Sequence, residues 1–303
     1  MKTIIGTGIF NLDSIIVREY PLGPENRKFT EKLVIEEAGG TCANVMCMLA
    51  HLGWESFPVA ILDTSEEGYK VTESLKNYGC NCKFVQNTEA GGTTILKLTH
   101  KLNPDRSPKI SIRAGSPGGS IFPKRHFLRK RDEAPVFLET LDFIPDVFFF
   151  DDPAAGHRLI ARTLSSKGSL IYFEPASIKE KKDYECIAIS HIIKFSGENI
   201  GEPQFTENYN DKLFIQTLGS EGIRFNLRGE GWVTLPPVAN SNLVDWEGAG
   251  DWTTSAFLNA LGDANALSID RLTSEIVRNA LGTAQEIASK SVSYLGSKGM
   301  IML

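Results

Sequence analysis

Residues 243–261 read LVDWEGAGDWTTSAFLNAL, and the order of residue types in this stretch decides what the rest of the chain has to be. The apolar pair Leu243-Val244 leads to Gly248-Ala249-Gly250. Asp251, Ala256, Phe257, Ala260 and Leu261 then follow at the spacing of a buried helix. The pattern predicts a loop feeding a helix N-terminus. Glycines at 248 and 250 let the backbone turn tightly and approach a ligand, and the free N–H groups of the first helical turn form an anion site. Asp251 places a carboxylate at that mouth. The helix dipole and the N–H donors are expected to hold its pKa low, so that it is ionised at neutral pH and positions an attacking hydroxyl for phosphoryl transfer. A plain N-cap is the competing reading of Asp251.

This stretch resembles the C-terminal signature of the PfkB or ribokinase family of sugar and nucleoside kinases, whose usual form is Asp-Thr-x-Gly-Ala-Gly-Asp before an apolar helix. The resemblance implies that the backbone of Gly248, Ala249 and Gly250 cradles the transferring phosphate and that Asp251 is the catalytic base. Trp246 stands where the family usually has Thr, and Glu247 adds a negative charge beside the anion site. Asp245, which in some members helps to hold a monovalent cation, is retained.

Two stretches near the start of the chain extend the resemblance. GTGIFNLDSI, residues 6–15, follows an apolar run from Thr3 to Ile9 that suits a first buried strand. An Asp after that strand binds sugar hydroxyls in the family, which implies the role for Asp13 and for Asn11 near it; closing a turn is the bland alternative. Gly39 and Gly40 lead into a helical pattern with Ala43, Val45, Met46, Leu49 and Ala50 inward, ended by Gly53 and followed by a strand from Phe57 to Leu62. Gly39, Gly40 and Asn44 match the family's Gly-Gly-x-x-x-Asn, whose backbone and amide bind the sugar. Strand-like patches flank this βαβ step. The resemblance assigns them, at about 14–37 and 83–114, to a small β lid inserted in one domain over 1–303.

The middle of the chain alternates helical and strand patterns, which indicates a parallel sheet with helices on both faces. Asp151, Asp152 and Glu174 fall at strand C-terminal ends, where such sheets bind ligands. After the strand-like HIIKF comes SGENIGE, where family members commonly have Asn-x-x-Glu to organise magnesium and phosphate; here Ser196 and Asn199 occupy those places and Glu198 is the adjacent substitute. Downstream, Thr217, Gly219 and Gly222 resemble the family's nucleotide-side turn, which implies ATP contacts there. In the closing helix, Ala284 and Ala288 are small enough to let an adenine lie close, and tight helix packing explains them equally well. The basic run from Lys124 to Arg131 reads as a solvated helix face.

Composition narrows the rest. The 303 residues are 42% hydrophobic and 23% charged with a net charge of −5, an ordinary globular balance that argues against a dominant nucleic-acid surface. No apolar run approaches a membrane span and no leader pattern opens the chain, so a cytoplasmic location is expected. Five cysteines read as free thiols, with Cys42 and Cys47 as core residues. No Walker P-loop, His-Glu-x-x-His or Gly-x-Ser-x-Gly element is present. The expectation is a three-layer α/β/α ribokinase-like fold with a mostly parallel central sheet and a small lid, acting as an ATP- and Mg²⁺-dependent carbohydrate kinase. Pairing with a second copy through the lid, as a homodimer, is admissible. A nucleoside kinase and a non-catalytic sugar- or nucleotide-binding regulator are the alternatives.

Overall fold

The computed structural model describes residues 1–19, 30–102, 108–115 and 130–301. The basic run from Lys124 lies largely outside them, as do parts of the strand-like patches at about 14–37 and 83–114. The chain begins with β1 (Thr3–Thr7), departs through β2 (Asn11–Glu19) and β3 (Thr30–Gly39), and returns by α1 (Thr41–His51) to β4 (Glu55–Leu62). After α2 (Glu66–Asn77) and the short β5 (Val85–Asn87), β6 (Thr94–Leu102) and β7 (Pro108–Gly115) depart again. From α3 (Glu133–Glu139) onward the alternation is regular: β8 (Val147–Phe150), α4 (Ala155–Ser166), β9 (Leu170–Phe173), α5 (Lys181–Ile189) and β10 (Ile192–Ser196). A single turn, α6 (Gly197–Ile200), precedes β11 (Leu213–Thr217), and β12 (Ile223–Leu227) and β13 (Trp232–Leu235) lead to the long helices α7 (Ala249–Asp263) and α8 (Ser274–Ser291).

Two sheets result. Nine strands lie in the order β13-β12-β11-β10-β9-β8-β1-β4-β5, parallel from β11 to β5 and antiparallel at β12 and β13. Four others lie in the order β3-β2-β6-β7. The run Val147–Phe150 shows why the large sheet is covered on both sides. Phe148 and Phe150 point to the face packed by α3, α4 and α5, while Phe149 points with Tyr172 to the face packed by α1, α7 and α8. Period-2 alternation of four apolar side chains therefore fills two cores from one strand, and each buried aromatic contributes roughly 1.5–3 kcal/mol. Among the described residues no helix is long and apolar enough to cross a membrane.

The small sheet is narrower in sequence than expected. The segment assigned to about 83–114 joins it only from Thr94, because Val85–Asn87 pairs in parallel with β4 at the edge of the large sheet. Burial decides this placement: Phe84 packs on Phe57 and Phe137, with ring centroids 5.9 and 5.2 Å away, and so belongs to the large sheet's core. The first excursion begins at Asn11 and ends at Gly39, where it feeds directly into α1.

β1 lies between β4 and β8, and the chain builds outward from it in both directions, so the carboxyl ends of β1 and β8 flank a topological switch point. Asp151 caps that point. Its Oδ1 accepts the Ile9 N–H at 2.9 Å and its Oδ2 accepts the Cys42 N–H at 3.0 Å, so one side chain fixes both the exit from β1 and the first turn of α1. Burial raises its pKa well above the ordinary range, and the Ile9 N–H works against that rise. Asp151→Asn turns one of these backbone donors against an amide NH2; urea unfolding should show a loss of about 1–3 kcal/mol.

Candidate active site

The loop before α7 is held by the segment that follows α8. The N–H groups of Val244 and Asp245 donate to the Val292 carbonyl, and the Asp245 carboxylate accepts from the N–H groups of Glu247 and Gly296, each at 2.9 Å. Trp252, buried, donates its indole N–H to the Ser297 carbonyl at 2.9 Å. Gly248 must be glycine on two counts: its φ is +79°, and a Cβ there would stand 2.4 Å from Ser297 Cβ. Among the described residues no side chain caps the helix that begins at Ala249; the Ala249 N–H donates to the Trp246 carbonyl at 3.2 Å, and the N–H groups of Gly250 and Asp251 remain available to an anion.

Asp251 is the third residue of that helix, and a chain of buried polar groups runs from it. Asn44 donates from Nδ2 to Asp251 Oδ2 at 2.7 Å. The amide is oriented from its other side, because Asn44 Oδ1 accepts from Lys298 Nζ at 2.6 Å and from Ser297 Oγ at 3.1 Å. Lys298, with 0% of its surface exposed, completes its shell with Ser297 Oγ at 2.9 Å and Glu37 Oε1 at 3.1 Å. Tyr78 donates its hydroxyl to the other Glu37 oxygen at 2.5 Å. Burial alone would lower the Lys298 pKa; Glu37 and the neighbouring anions outweigh it, and the shift is upward. The ammonium is therefore a permanent charge beneath the site.

Asp13 approaches from β2. It packs so closely on Gly39 that a Cβ at that position would lie 1.7 Å from Asp13 Oδ2. Among the described residues Asp13 Oδ1 has no hydrogen-bond partner. Asp13, Gly40, Asn44, Gly248 and Asp251 together line one cavity of about 130 Å³, closed from the small sheet by Ile15, Leu96, Leu98 and Ile112. Gly39 shapes it through Asp13. Asn11 is buried in the ladder beside Gly39 and Thr94 and does not line the cavity.

The expectation of a low Asp251 pKa is overturned. Burial pushes it up to about 7 and the nearby Glu174 adds to the rise, against the opposing pull of the Asn44 amide, Lys194 and Lys298. Asp13 is likewise pushed up to about 7 by burial, opposed by Lys298 and reinforced by Glu37 and Glu247. The dipole and N–H donors legible in the sequence are present, but withdrawal from water is the larger effect.

Close to Asp251, Lys194 from β10 and Glu174 at the end of β9 form an ion pair, and Thr254, one turn along α7 from Asp251, donates to Glu174 Oε2 at 2.6 Å. A Cβ on Gly250 would lie 3.6 Å from Lys194 Nζ, so an ammonium stands beside the uncapped helix end. Thr217 ends the neighbouring β11, and Gly219 and Gly222 turn the chain after it, with the Leu218 N–H donating to the Gly222 carbonyl at 2.8 Å. Glu198, exposed on α6, has Oε1 3.6 Å from the Cβ position of Gly219. Ala284 is a core residue with no exposed surface, in one cluster with side chains of α7 and α8.

The donor set bears on the metal the sequence implied. Among the described residues no three His, Cys, Asp or Glu side chains stand together as a metal site. Magnesium bound to nucleotide needs only one or two carboxylates beside phosphate oxygens and water. Glu198, which makes no ion pair among the described residues, fits that lesser demand. Lys298, Glu37 and Lys194 escaped the sequence reading. Lys194 had a legible signal, a cation inside the apolar strand HIIKF. Lys298, in a Gly-Ser-Lys-Gly turn, had none.

No protein-family model and no curated protein matches the chain by sequence. Solved structures match it throughout its length. A putative ribokinase from Agrobacterium tumefaciens superposes with a TM-score of 0.73 at 14% identity, over 98% of this chain and 93% of that one. Arabidopsis thaliana ribokinase complexed with ribose and ATP gives 0.65 at 18%, over 98% and 94%. Burkholderia thailandensis nucleoside kinase in complex with inosine gives 0.67 at 13%, over 97% and 92%. The chain has the ribokinase-like fold.

Removing the Lys298 ammonium leaves Glu37 and Asn44 Oδ1 buried without their cation. Lys298→Met should therefore lose about 3–5 kcal/mol in urea unfolding. Adding Glu37→Gln should recover part of that loss, and a double-mutant cycle measures the coupling.

Proposed function

We propose that the protein is an ATP-dependent kinase that phosphorylates a hydroxyl of a small polyhydroxylated acceptor, with Asp251 as its base. The observation that carries this reading is the placement of Asp251: a carboxyl group poised near neutrality, in the first turn of a helix without a side-chain cap, on the wall of a partly enclosed cavity. Asn44 holds one carboxylate oxygen and leaves the other for the acceptor hydroxyl. As the hydroxyl oxygen bonds to the γ-phosphorus and the bridging oxygen departs with ADP, the hydroxyl proton passes to Asp251. The free N–H groups at the start of α7, that of Gly250 foremost, with Lys194 beside them, stabilise the charge on the transferring group.

The turn at Thr217, Gly219 and Gly222 takes the nucleotide in this reading. Glu198 would hold Mg²⁺ there, and the ion supplies charge neutralisation between the phosphates. Structures of the same fold bound to ribose with ATP, and to inosine, support both ligand classes. The cavity size favours the smaller: about 130 Å³ is well below the roughly 300 Å³ at which pockets for drug-sized ligands begin. A non-catalytic sugar sensor is the second reading, favoured by the Glu247 carboxylate on the cavity wall beside the anion site.

ADP release with Mg·ATP across hexoses, pentoses, ketoses, sugar phosphates and nucleosides tests the proposal. With the productive acceptor, Asp251→Asn should lower turnover at least ~10³-fold, as expected when a proton acceptor that also orients the nucleophile is lost. The variant should melt no lower than wild type above pH 7, where the native carboxylate is charged without water. Turnover close to wild type in that variant would refute the assignment of the base. The pH profile has a definite sign. A base that works deprotonated, with its pKa at about 7, gives kcat/KM that falls tenfold per unit below that pH and levels off above it.

A further inference from the structure

We infer that the acceptor carries a protonated amine: the cavity selects an aminated polyhydroxy compound over its neutral parent and rejects sugar phosphates and sugar acids. The inference rests on reading this cavity as the acceptor site, and it names the class of compound bound there.

Four carboxylates line the cavity, from Asp13, Asp245, Glu247 and Asp251, and among the described residues no lysine or arginine does. The two ammonium groups nearby are engaged elsewhere, Lys298 by Glu37 and Asn44, and Lys194 by Glu174. His100, reaching in from β6, is the remaining titratable group on the wall. Burial lowers its pKa against the pull of Asp245, whose Oδ2 is 3.4 Å away, so it brings no dependable positive charge. Asp245 is occupied by two backbone N–H groups as well, and Asp251 by Asn44. Asp13 and Glu247 are left.

Asp13 is 7% exposed, lines the cavity, and has in Oδ1 a buried acceptor without a donor among the described residues. A buried oxygen of this kind calls for a donor from the ligand. The Glu247 carboxylate lines the same cavity and makes no hydrogen bond or ion pair among the described residues. Two carboxyl groups on one cavity wall without a facing donor or cation are completed by a cationic ligand. A metal ion is a poor occupant, since among the described residues no three ligating side chains converge. The opposite wall, Ile15, Leu96, Leu98 and Ile112, supplies neither donor nor charge. An ammonium on a small polyol satisfies both carboxylates, whereas a phosphate or carboxylate ligand meets unscreened repulsion.

Calorimetric titration without nucleotide at pH 7.5 tests this, using glucose, galactose and mannose, their 2-amino-2-deoxy counterparts, the N-acetyl forms, the uronic acids and the 6-phosphates. At least one aminohexose should bind about tenfold or more tightly than its parent, and the anions should not bind. Glu247→Gln should cut the amine-to-parent ratio by about tenfold while the parent still binds. The inference is overturned if a neutral or anionic member binds as tightly as the amines, if no amine binds, or if Glu247→Gln leaves the ratio unchanged. Preferential amine binding with no ADP release on adding Mg·ATP would sink the kinase reading alone. ADP release from a neutral sugar that binds as well as its amine would sink this inference alone.

Discussion

A lysine ammonium without contact to solvent is the constraint on which the site depends. Lys298 joins a strand of the small sheet through Glu37, the helix that follows it through Asn44, and the turn after the last helix through Ser297. Each of these elements would otherwise bury a polar group with no partner, and none could shift without uncovering a charge. The amide of Asn44 has its orientation dictated from below, so that its NH2 group can only face Asp251. The geometry around the proposed base is thus imposed by a residue that never meets the ligand.

Two helix N-termini meet at this end of the large sheet, and the protein treats them in opposite ways. The first turn of α1 is closed by Asp151, a carboxylate from more than a hundred residues away that takes the Cys42 N–H. The first turn of α7 is left open, with Gly248 at its cap position and a lysine alongside. A closed helix end is structure and an open one is a binding site. Asp151 and Asp251 are both buried aspartates at the same rim, and their partners separate them: two backbone donors leave Asp151 nothing to give, while Asp251 keeps an oxygen toward the cavity.

Much of this arrangement was legible in the sequence. The alternation of short apolar runs with helical patterns specified a parallel sheet covered on both faces, and the resemblance to the ribokinase-family signatures assigned Gly248 to Asp251, Asn44 and Asp13 to one site. The misses share a cause. Lys298 and Glu37 are neighbours only after the chain has closed, and nothing local marks a lysine in a glycine-serine turn as buried. The pKa of Asp251 was misjudged because the dipole and donors belong to the local helix, whereas burial comes from distant packing. The edge of the small sheet was misplaced because Val85–Asn87 suits either sheet as sequence, and Phe84 decides by packing into the larger core.

The separation of these partners along the chain has a consequence for folding. Asn44 meets Asp251 across 207 positions and Lys298 across 254. Contacts of such long range form late, after the local helices and neighbouring strand pairs have paid their own loop entropy. An intermediate with each half of the large sheet assembled, but the two not yet locked together, would possess every site residue and no site. Ligand affinity is therefore a readout of the last folding step, and a ligand that binds here stabilises only the completed molecule.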